Sequence, residues 1–499
     1  MTTSPSVRYN VIANFTGKAW AALFSLALVP VYIRLLGVEV YALLGILMSL
    51  TALLSLLDMG LSSALTRELS RLSAVPSSSR DTRDLVRTFE TVYWSIGVLI
   101  GISVAALAPL LSKHWIRSSD IDHTIVEQVL ILMAVSITVQ WAGALYAGGL
   151  VGLQRQVELN ILRSVMVLVQ HGGALLVLFV VSRSIVAFFL WQAFVGLITT
   201  VALGVCLWKR MPSDTPAKFD VRLLLENRGY AMGVTGISIV TIFLTQLDKV
   251  VLSKMLTLEM FGYYMVAFNV SNALHNIVTP ISTALLPKFT QLVALGDNDK
   301  LVKLYHQGCQ LLSVLVLPIS ATLALFSKEV LSLWLPNSDA SQNADKILTL
   351  LMVGTALNAL MTLPYTLQLA HGWTKLAFYK NVIAVILLVP LMVWMVHRYQ
   401  AVGAAWVWVI LNTAYLLSEV PIMHRHLLKG EMVQWYKEDI IRPIVIVVSV
   451  GLLSRMIVPV DGPTFVIVLG LIAATGLSVT ISALASSHLN VRILKIIPS

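Results

Sequence analysis

One offset of 220 positions lays one stretch of this chain over another without a gap. Residues 34–72, RLLGVEVYALLGILMSLTALLSLLDMGLSSALTRELSRL, align with residues 254–292, KMLTLEMFGYYMVAFNVSNALHNIVTPISTALLPKFTQL. Arg34 meets Lys254, Glu39 meets Glu259, Tyr41 meets Phe261, and Ser62-Ser63-Ala64-Leu65 meets Ser282-Thr283-Ala284-Leu285. The same shift sets Gly152 and Arg155 over Gly372 and Lys375, far from the first match. A fixed offset that recurs at distant places marks an internal duplication, and the fold must be built from two similar halves.

Hydropathy says what each half is made of. The chain is 57% hydrophobic and only 12% charged, against about 25% charged in ordinary soluble domains. It is therefore read as an all-α polytopic membrane protein. A span needs roughly 20 mainly apolar residues. On that criterion fourteen are expected, centred near Leu23, Ser49, Leu99, Val135, Val169, Val195, Ile242, Val270, Val314, Leu357, Ile386, Val409, Ser449 and Leu471. The N-terminal MTTSPSVRYN runs into apolar sequence without a small-residue cleavage site and is expected to be a retained first span, not a signal peptide. The net charge of +10 would suggest nucleic acid in a soluble protein. In a membrane protein the placement of Lys and Arg matters more, and no nucleic-acid partner is expected. With the N-terminus inside, 24 of the 35 basic residues fall in cytoplasmic segments, with Arg155 and Arg163 counted in one of those turns, and 9 fall outside. That bias fits the positive-inside rule and puts both termini in the cytoplasm.

These counts give the domain plan. Residues 1–208 form an N-terminal lobe of six spans, 209–229 a polar cytoplasmic connector, 230–428 a C-terminal lobe of six, and 429–499 two extra spans and a tail. Each half holds an even number of spans, so both enter the membrane in one sense. Their pseudo-two-fold then lies along the membrane normal. The longest outer segment, about 328–346, is far too short to fold as a domain. Membrane glycan polymerases and ligases, which need room for acid–base groups, are disfavoured on that ground.

Motifs for chemistry are missing. There is no phosphate loop of the G-x-x-x-x-G-K-[ST] type, no H-E-x-x-H and no Cys/His ligand spacing. Cys206 and Cys309 both sit in apolar runs. No catalytic residue, metal or cofactor is expected. The informative residues are polar ones inside spans, since an ionisable group at bilayer depth costs about 2.5–3.5 kcal/mol even on lenient scales. Lys18 lies about two turns into the first span and either serves a site or snorkels to the surface. Asp248 and Lys249 are neighbours late in the seventh span. Adjacent residues do not face each other on a helix, so they are not expected to pair with one another and at least one is expected to need an outside partner. Asn269, Asn272 and Asn276 fall at i, i+3 and i+7 in the eighth span, with His275 beside them. They form one polar stripe that either links helices or faces a ligand. The repeat mates of these groups are mostly apolar or small: Ser49, Ala52, Leu56 and Ser55 for the stripe with His275, Leu28-Val29 for Asp248-Lys249, and Ser238 for Lys18. Shared architecture does not require polar groups in one half only, and the asymmetry points to an off-axis site. Asp58 is expected to be structural, paired with Arg67 or a neighbouring helix. Pro30, Pro280, Pro318, Pro364 and Pro390 are expected to kink spans.

The run VPVYIRLLGVEVYALLGILMSLTALLSLLDMGLSSALTRELSRL resembles the opening signature of polysaccharide-type flippases of the multidrug/oligosaccharidyl-lipid/polysaccharide exporter superfamily. LDKVVLSKMLTLEMFGYYMVAFNVSNALHNIVTPISTALLPKFTQL resembles that family's seventh and eighth spans, and GLQRQVELN and AHGWTK its short cytoplasmic turns. The resemblance implies twelve to fourteen helices in two lobes, in the bacterial inner membrane. It further implies outward transfer of undecaprenyl-pyrophosphate-linked oligosaccharide, such as O-antigen units, by alternating access. On that reading Lys18, Lys249 and Arg34 hold the phosphates, Asn269, Asn272, Asn276 and Gln246 bind sugar hydroxyls, and Asp248 couples an ion. The partners implied are the lipid-linked substrate, membrane lipids, and a polysaccharide polymerase with its chain-length machinery. The alternatives are a cation-coupled multidrug exporter of the same fold, a membrane glycan polymerase or ligase, and a passive channel.

Overall fold

The computed structural model describes residues 24, 27–58, 60–73, 79–118, 121–211, 216–335, 338–373, 375–458 and 463–486. Among them the only β-type pairing is one isolated bridge, Arg117 to Thr257; the rest is helix and short turns. In lipid every backbone group must be satisfied within its own segment, and long apolar runs therefore become helices. The segment centred near Leu23 lies outside the described residues, as does Lys18. Every later centre, from Ser49 to Leu471, falls inside a helix. Among the described residues ten helices are long and apolar enough to span, while Ala27–Leu36 and Val38–Leu54 are shorter apolar pieces. Lys375–Leu427 holds two of the expected spans, joined across a non-helical Gln400 (φ 51°, ψ −136°). The turn is tight because Gly403 backs onto the carbonyl of Met395, where a Cβ would collide.

The chain divides into two compact units, Met1–Gly262 and Tyr263–Ser499. The first contains α1 (Ala27–Leu36), α2 (Val38–Leu54), α3 (Leu61–Ser73), α4 (Ser79–His114), α5 (His123–Gly152), α6 (Gln156–Leu176), α7 (Ile185–Arg210) and α8 (Val221–Met255). It also takes in the start of α9 (Leu258–Asn272). Helix α5 is its hub, packed against α3, α4 and α7, and two-thirds of its most apolar window is buried. Small residues let membrane helices approach closely. At Gly152 a Cβ would lie 2.7 Å from the carbonyl O of Thr66 and 2.9 Å from Cβ of Leu69, so only glycine lets α5 close on α3 there. Asp122 caps α5 by accepting from the N–H of Thr124 at 2.9 Å, and that bond holds its carboxyl below the usual range.

The second unit holds the rest of α9, then α10 (His275–Leu295), α11 (Asn298–Leu325), α12 (Ser327–Trp334), α13 (Ser338–Leu360), α14 (Thr362–Ala370) and α15 (Lys375–Leu427). It ends with α16 (Met432–Ile457) and α17 (Thr464–Ala485). Helices α11 and α13 form its core. The two final spans, without counterparts in the repeat, pack on α11 and on each other. The boundary between units lies one span beyond the sequence boundary, because α8 packs on α2, α3 and α4.

Expected kinks are only partly at prolines. The second span breaks at Ser55–Asp58 and Gly60 (φ 69°), and the eighth around Ala273 and Leu274. Pro280, Pro318 and Pro390 lie within continuous helix, while Pro364 opens α14 just after a break at Met361. Asp58 serves that first break: it accepts from the N–H and the hydroxyl of Ser62, at 3.1 and 2.7 Å, and so caps α3. A carboxylate is well suited to that place, where the first helical N–H groups lack partners. The structural role expected of Asp58 is found, with Ser62 as its partner and not Arg67.

Candidate functional site

Two polar cavities in the first unit lie around α5 and α6. A cavity of about 460 Å³ is bounded by α3, α5 and α6, with Ser62, Ser63, Thr66, Arg67 and Arg163 among its lining residues. A second, of about 270 Å³, is bounded by α5, α6 and α7, with Gln140, Gln170, Gln192, Thr199 and Arg163 in its walls. Arg163 and Ala144 belong to both. Some of the polar atoms are committed to the fold. Thr66 donates to the carbonyls of Ser62 and Gly148, both at 2.9 Å, and Thr200 to that of Val139 at 3.0 Å. Gln170 donates its side-chain amide to Gln192, and its main-chain carbonyl takes a bond from Trp191 at 3.0 Å. Sequence reading counted Arg163 with a cytoplasmic turn. It stands instead seven residues into α6, about 10 Å along the helix axis. The asymmetry test could have found it, since its repeat mate is Ile383.

The expected charge separation at Asp248 and Lys249 does not occur. The Lys249 ammonium folds back to reach both carboxylate oxygens of Asp248 at 3.0 Å and the carbonyl of Thr245 at 2.9 Å. The spacing argument overlooked the reach of the lysine stem, which lets immediate neighbours meet even though their Cβ atoms diverge. Lys249 is buried, and its charge is balanced on the spot. Gln246 is half-buried on the same helix, and Arg34 is exposed near the end of α1. At the far end of α8, Lys254 donates to the carbonyl of His114 and sits 5.1 Å from the ring centre of Trp115. Trp115 donates to Ser253 at 3.1 Å, and the N–H of Leu258 to the carbonyl of Arg117 at 2.6 Å. These bonds tie the α4–α5 loop to the α8–α9 turn.

In the second unit the asparagine stripe straddles the break in the eighth span. Asn272 ends α9 and Asn276 sits in the first turn of α10, both exposed, while Asn269 is half-buried one turn earlier. His275 leaves the stripe and turns inward. Its Nε2 lies 3.3 Å from Oδ1 of Asn358, whose amide donates to Asn412 at 2.8 Å, and Asn412 donates to the carbonyl of Trp408. This amide chain joins α10, α13 and α15. A second buried network docks α16. Its start, Trp435–Ile441, is wound as π-helix, and carries Asp439 against His306 Nδ1 at 2.5 Å and Gln310 Nε2 at 2.9 Å. His306 Nε2 meets Glu431 at 3.2 Å. Lys380, also in this unit, pairs with buried Glu419, which accepts from Gln368 at 2.8 Å. No sequence motif announced these networks, because their members are separated by up to 133 residues.

An all-helical duplicated bundle with polar space inside defines a multi-pass membrane transporter fold. Residues 7–293 match the family model described as polysaccharide biosynthesis protein, and the chain belongs to that family. It is 21% identical over 410 residues to a putative O-antigen transporter of Shigella flexneri, across 81% of this chain and 94% of that one. The fold is similar to that of lipid II flippase MurJ in an inward closed conformation, with a TM-score of 0.71, 13% identity, and coverage of 96% and 98%. It is similar also to an inward-facing multidrug resistance MATE family transporter of the MOP superfamily, with a TM-score of 0.57, 13% identity, and coverage of 84% and 96%. These likenesses show a fold shared with transporters of the MOP superfamily.

Proposed function

We propose that the protein is a carrier, not an enzyme, and that it moves undecaprenyl-pyrophosphate-linked oligosaccharide from the cytoplasmic to the periplasmic leaflet of the bacterial inner membrane. The observation that carries this reading is an open polar cleft between the helices of an apolar bundle, lined by the exposed cations Arg67 and Arg163, in a chain of the polysaccharide biosynthesis family. The putative O-antigen transporter of Shigella flexneri supports the glycan class. Lobes 1–208 and 230–428, linked by 209–229, alternate access, and 429–499 adds two spans. Both termini are cytoplasmic. Lys18, Arg34 and, once its pair with Asp248 opens, Lys249 are among the phosphate-binding cations, and Asn269, Asn272, Asn276 and Gln246 meet sugar hydroxyls. Asp248, held by Lys249, couples an ion when that pair opens. A polymerase and chain-length proteins receive the product.

The energetics suit the direction. The diphosphate is anionic and the bacterial interior is negative, so outward movement runs down the potential. Each charge contributes about 2.3 kcal/mol per 100 mV, several times thermal energy. The test uses cells lacking the gene and spheroplasts treated with an impermeant glycosidase. Restoring the chain makes lipid-linked glycan susceptible at the outer face. Equal susceptibility with and without the chain would overturn the reading.

A further inference from the structure

We infer that Arg163 is a phosphate-binding group of the first unit, clamping the diphosphate of a lipid-linked glycan within a cavity whose amides contact the adjoining sugar. This deepens the function proposed above and rests on it. The argument starts from charge. Among the described residues, several ionisable groups deep in the long helices are paired: Lys249 with Asp248, Lys380 with Glu419, Arg455 with Glu329, and His306 with Asp439. Arg163, about 10 Å into α6 and exposed, has neither a side-chain hydrogen bond nor an ion pair with any described residue. Glu158, one turn and a half away, is already held by Arg155 at 3.4 Å and Arg210 at 2.9 Å. Arg163 instead lines both cavities.

The walls say what would fill them. None of the residues lining either cavity is acidic, and Arg67 adds a second positive group. An organic cation finds no counter-charge there, whereas an anion finds a guanidinium. The planar guanidinium fork matches phosphate oxygens two at a time. The Gln140 side chain makes no hydrogen bond with any described residue. The Gln170–Gln192 pair leaves one amide N–H₂ and one carbonyl oxygen to share with a ligand. Those groups suit sugar hydroxyls, which both donate and accept. Gly143 and Gly148 let α5 close on Thr200 and Thr66 of its neighbours, while Gly196 faces Gln140 across the second cavity. The second half carries Ile383, Leu360 and Pro390 at the positions equivalent to Arg163, Gln140 and Gln170. The duplicated architecture therefore stands without this polar set.

The test uses the full chain in phosphatidylcholine nanodiscs, with geranylgeranyl diphosphate and geranylgeraniol as probes. Wild type binds the diphosphate more tightly than the alcohol. Arg163→Gln weakens the diphosphate by about tenfold or more, the loss expected for a charge-assisted bond, and leaves the alcohol unchanged. Arg163→Lys recovers part of the loss. Since the Arg163 side chain has no hydrogen bond or ion pair with a described residue to lose, the Gln variant is expected to melt with wild type. Gly196→Leu, which fills the second cavity from the opposite wall, gives a comparable loss and keeps the proposal testable if Arg163→Gln is lost from the membrane. Unchanged diphosphate affinity in Arg163→Gln, with wild type binding normally, overturns this inference alone. A wild type that does not distinguish diphosphate from alcohol overturns the proposed function as well. If phosphatidylglycerol in the nanodisc removes the Arg163-dependent difference, the phosphate recognised is a lipid headgroup and the substrate assignment fails.

Discussion

Removing the Asp439 carboxylate should strongly destabilise the second unit. Asp439 and His306 are both fully buried. One carboxylate oxygen faces Nδ1 of His306 at 2.5 Å, and the other accepts from Gln310 at 2.9 Å. A neutral imidazole has one N–H and one bare nitrogen. Here both ring nitrogens meet carboxylates, so the cluster of His306, Asp439 and Glu431 holds at least one shared proton beyond a neutral ring. Asp439→Ala strands the His306 Nδ1–H and the Gln310 amide in a dry interior. An abandoned buried donor costs about 1–3 kcal/mol, and breaking a buried ion pair from one side about 3–5 kcal/mol. The two routes agree on a loss of about 3–5 kcal/mol. Ser313 still donates to the Asp439 main-chain carbonyl at 2.6 Å, and the π-turn keeps that tie. Replacing both members, His306→Leu with Asp439→Leu, removes the stranded polar groups and should cost less than Asp439→Ala alone. The assay is reversible unfolding in mixed detergent micelles, followed by tryptophan fluorescence, with all the variants in one cycle. A loss below about 1 kcal/mol for Asp439→Ala, or simple additivity in the double variant, would refute the idea of a coupled buried pair.

Three further outcomes follow from the geometry. Asn269, Asn272 and Asn276 replaced together by Ala should impair export while the protein remains inserted, since Asn contacts between membrane helices average about 0.6 kcal/mol; loss of protein in immunoblots of membranes would mark the stripe as structural. Gly152→Ala drives a methyl against the Thr66 carbonyl and should lower the melting temperature, whereas Gly172→Ala, with nothing within 4 Å of its Cβ, should not; equal melting of the two would contradict the packing described for α3 and α5. Reporter fusions after Arg228 and Lys429 should read cytoplasmic and one after Ser338 periplasmic, and a periplasmic signal at Arg228 would break the proposed topology.

The fold was legible because lipid leaves little choice: apolar length dictates helix, and the 220-residue offset dictates duplication. Local chemistry was harder to read. Gly152 and Gly372 align in the repeat yet serve different needs, close approach to α3 in the first and a left-handed turn (φ 69°) in the second. Arg163 looked like part of a turn, because one arginine near a helix start is indistinguishable from a flanking charge until its surroundings are known. Asp248 and Lys249 misled for the opposite reason, since spacing describes Cβ directions and not the reach of a flexible ammonium. The asparagine stripe assumed an unbroken helix, and the turn at Ala273 and Leu274 splits it. The His306–Asp439 contact joins α11 to a span outside the repeat, where no internal comparison applies.

The most direct measurement reconstitutes the purified chain in liposomes carrying a fluorescent oligosaccharide on a polyprenyl diphosphate, with an impermeant reductant added outside. Half of the label is reduced in empty liposomes, because the other half is sealed in the inner leaflet. With the protein present, and faster under a potential that draws anions outward, the account predicts reduction of nearly all the label. A plateau at the empty-liposome level, with correctly folded protein in the membrane, would contradict it.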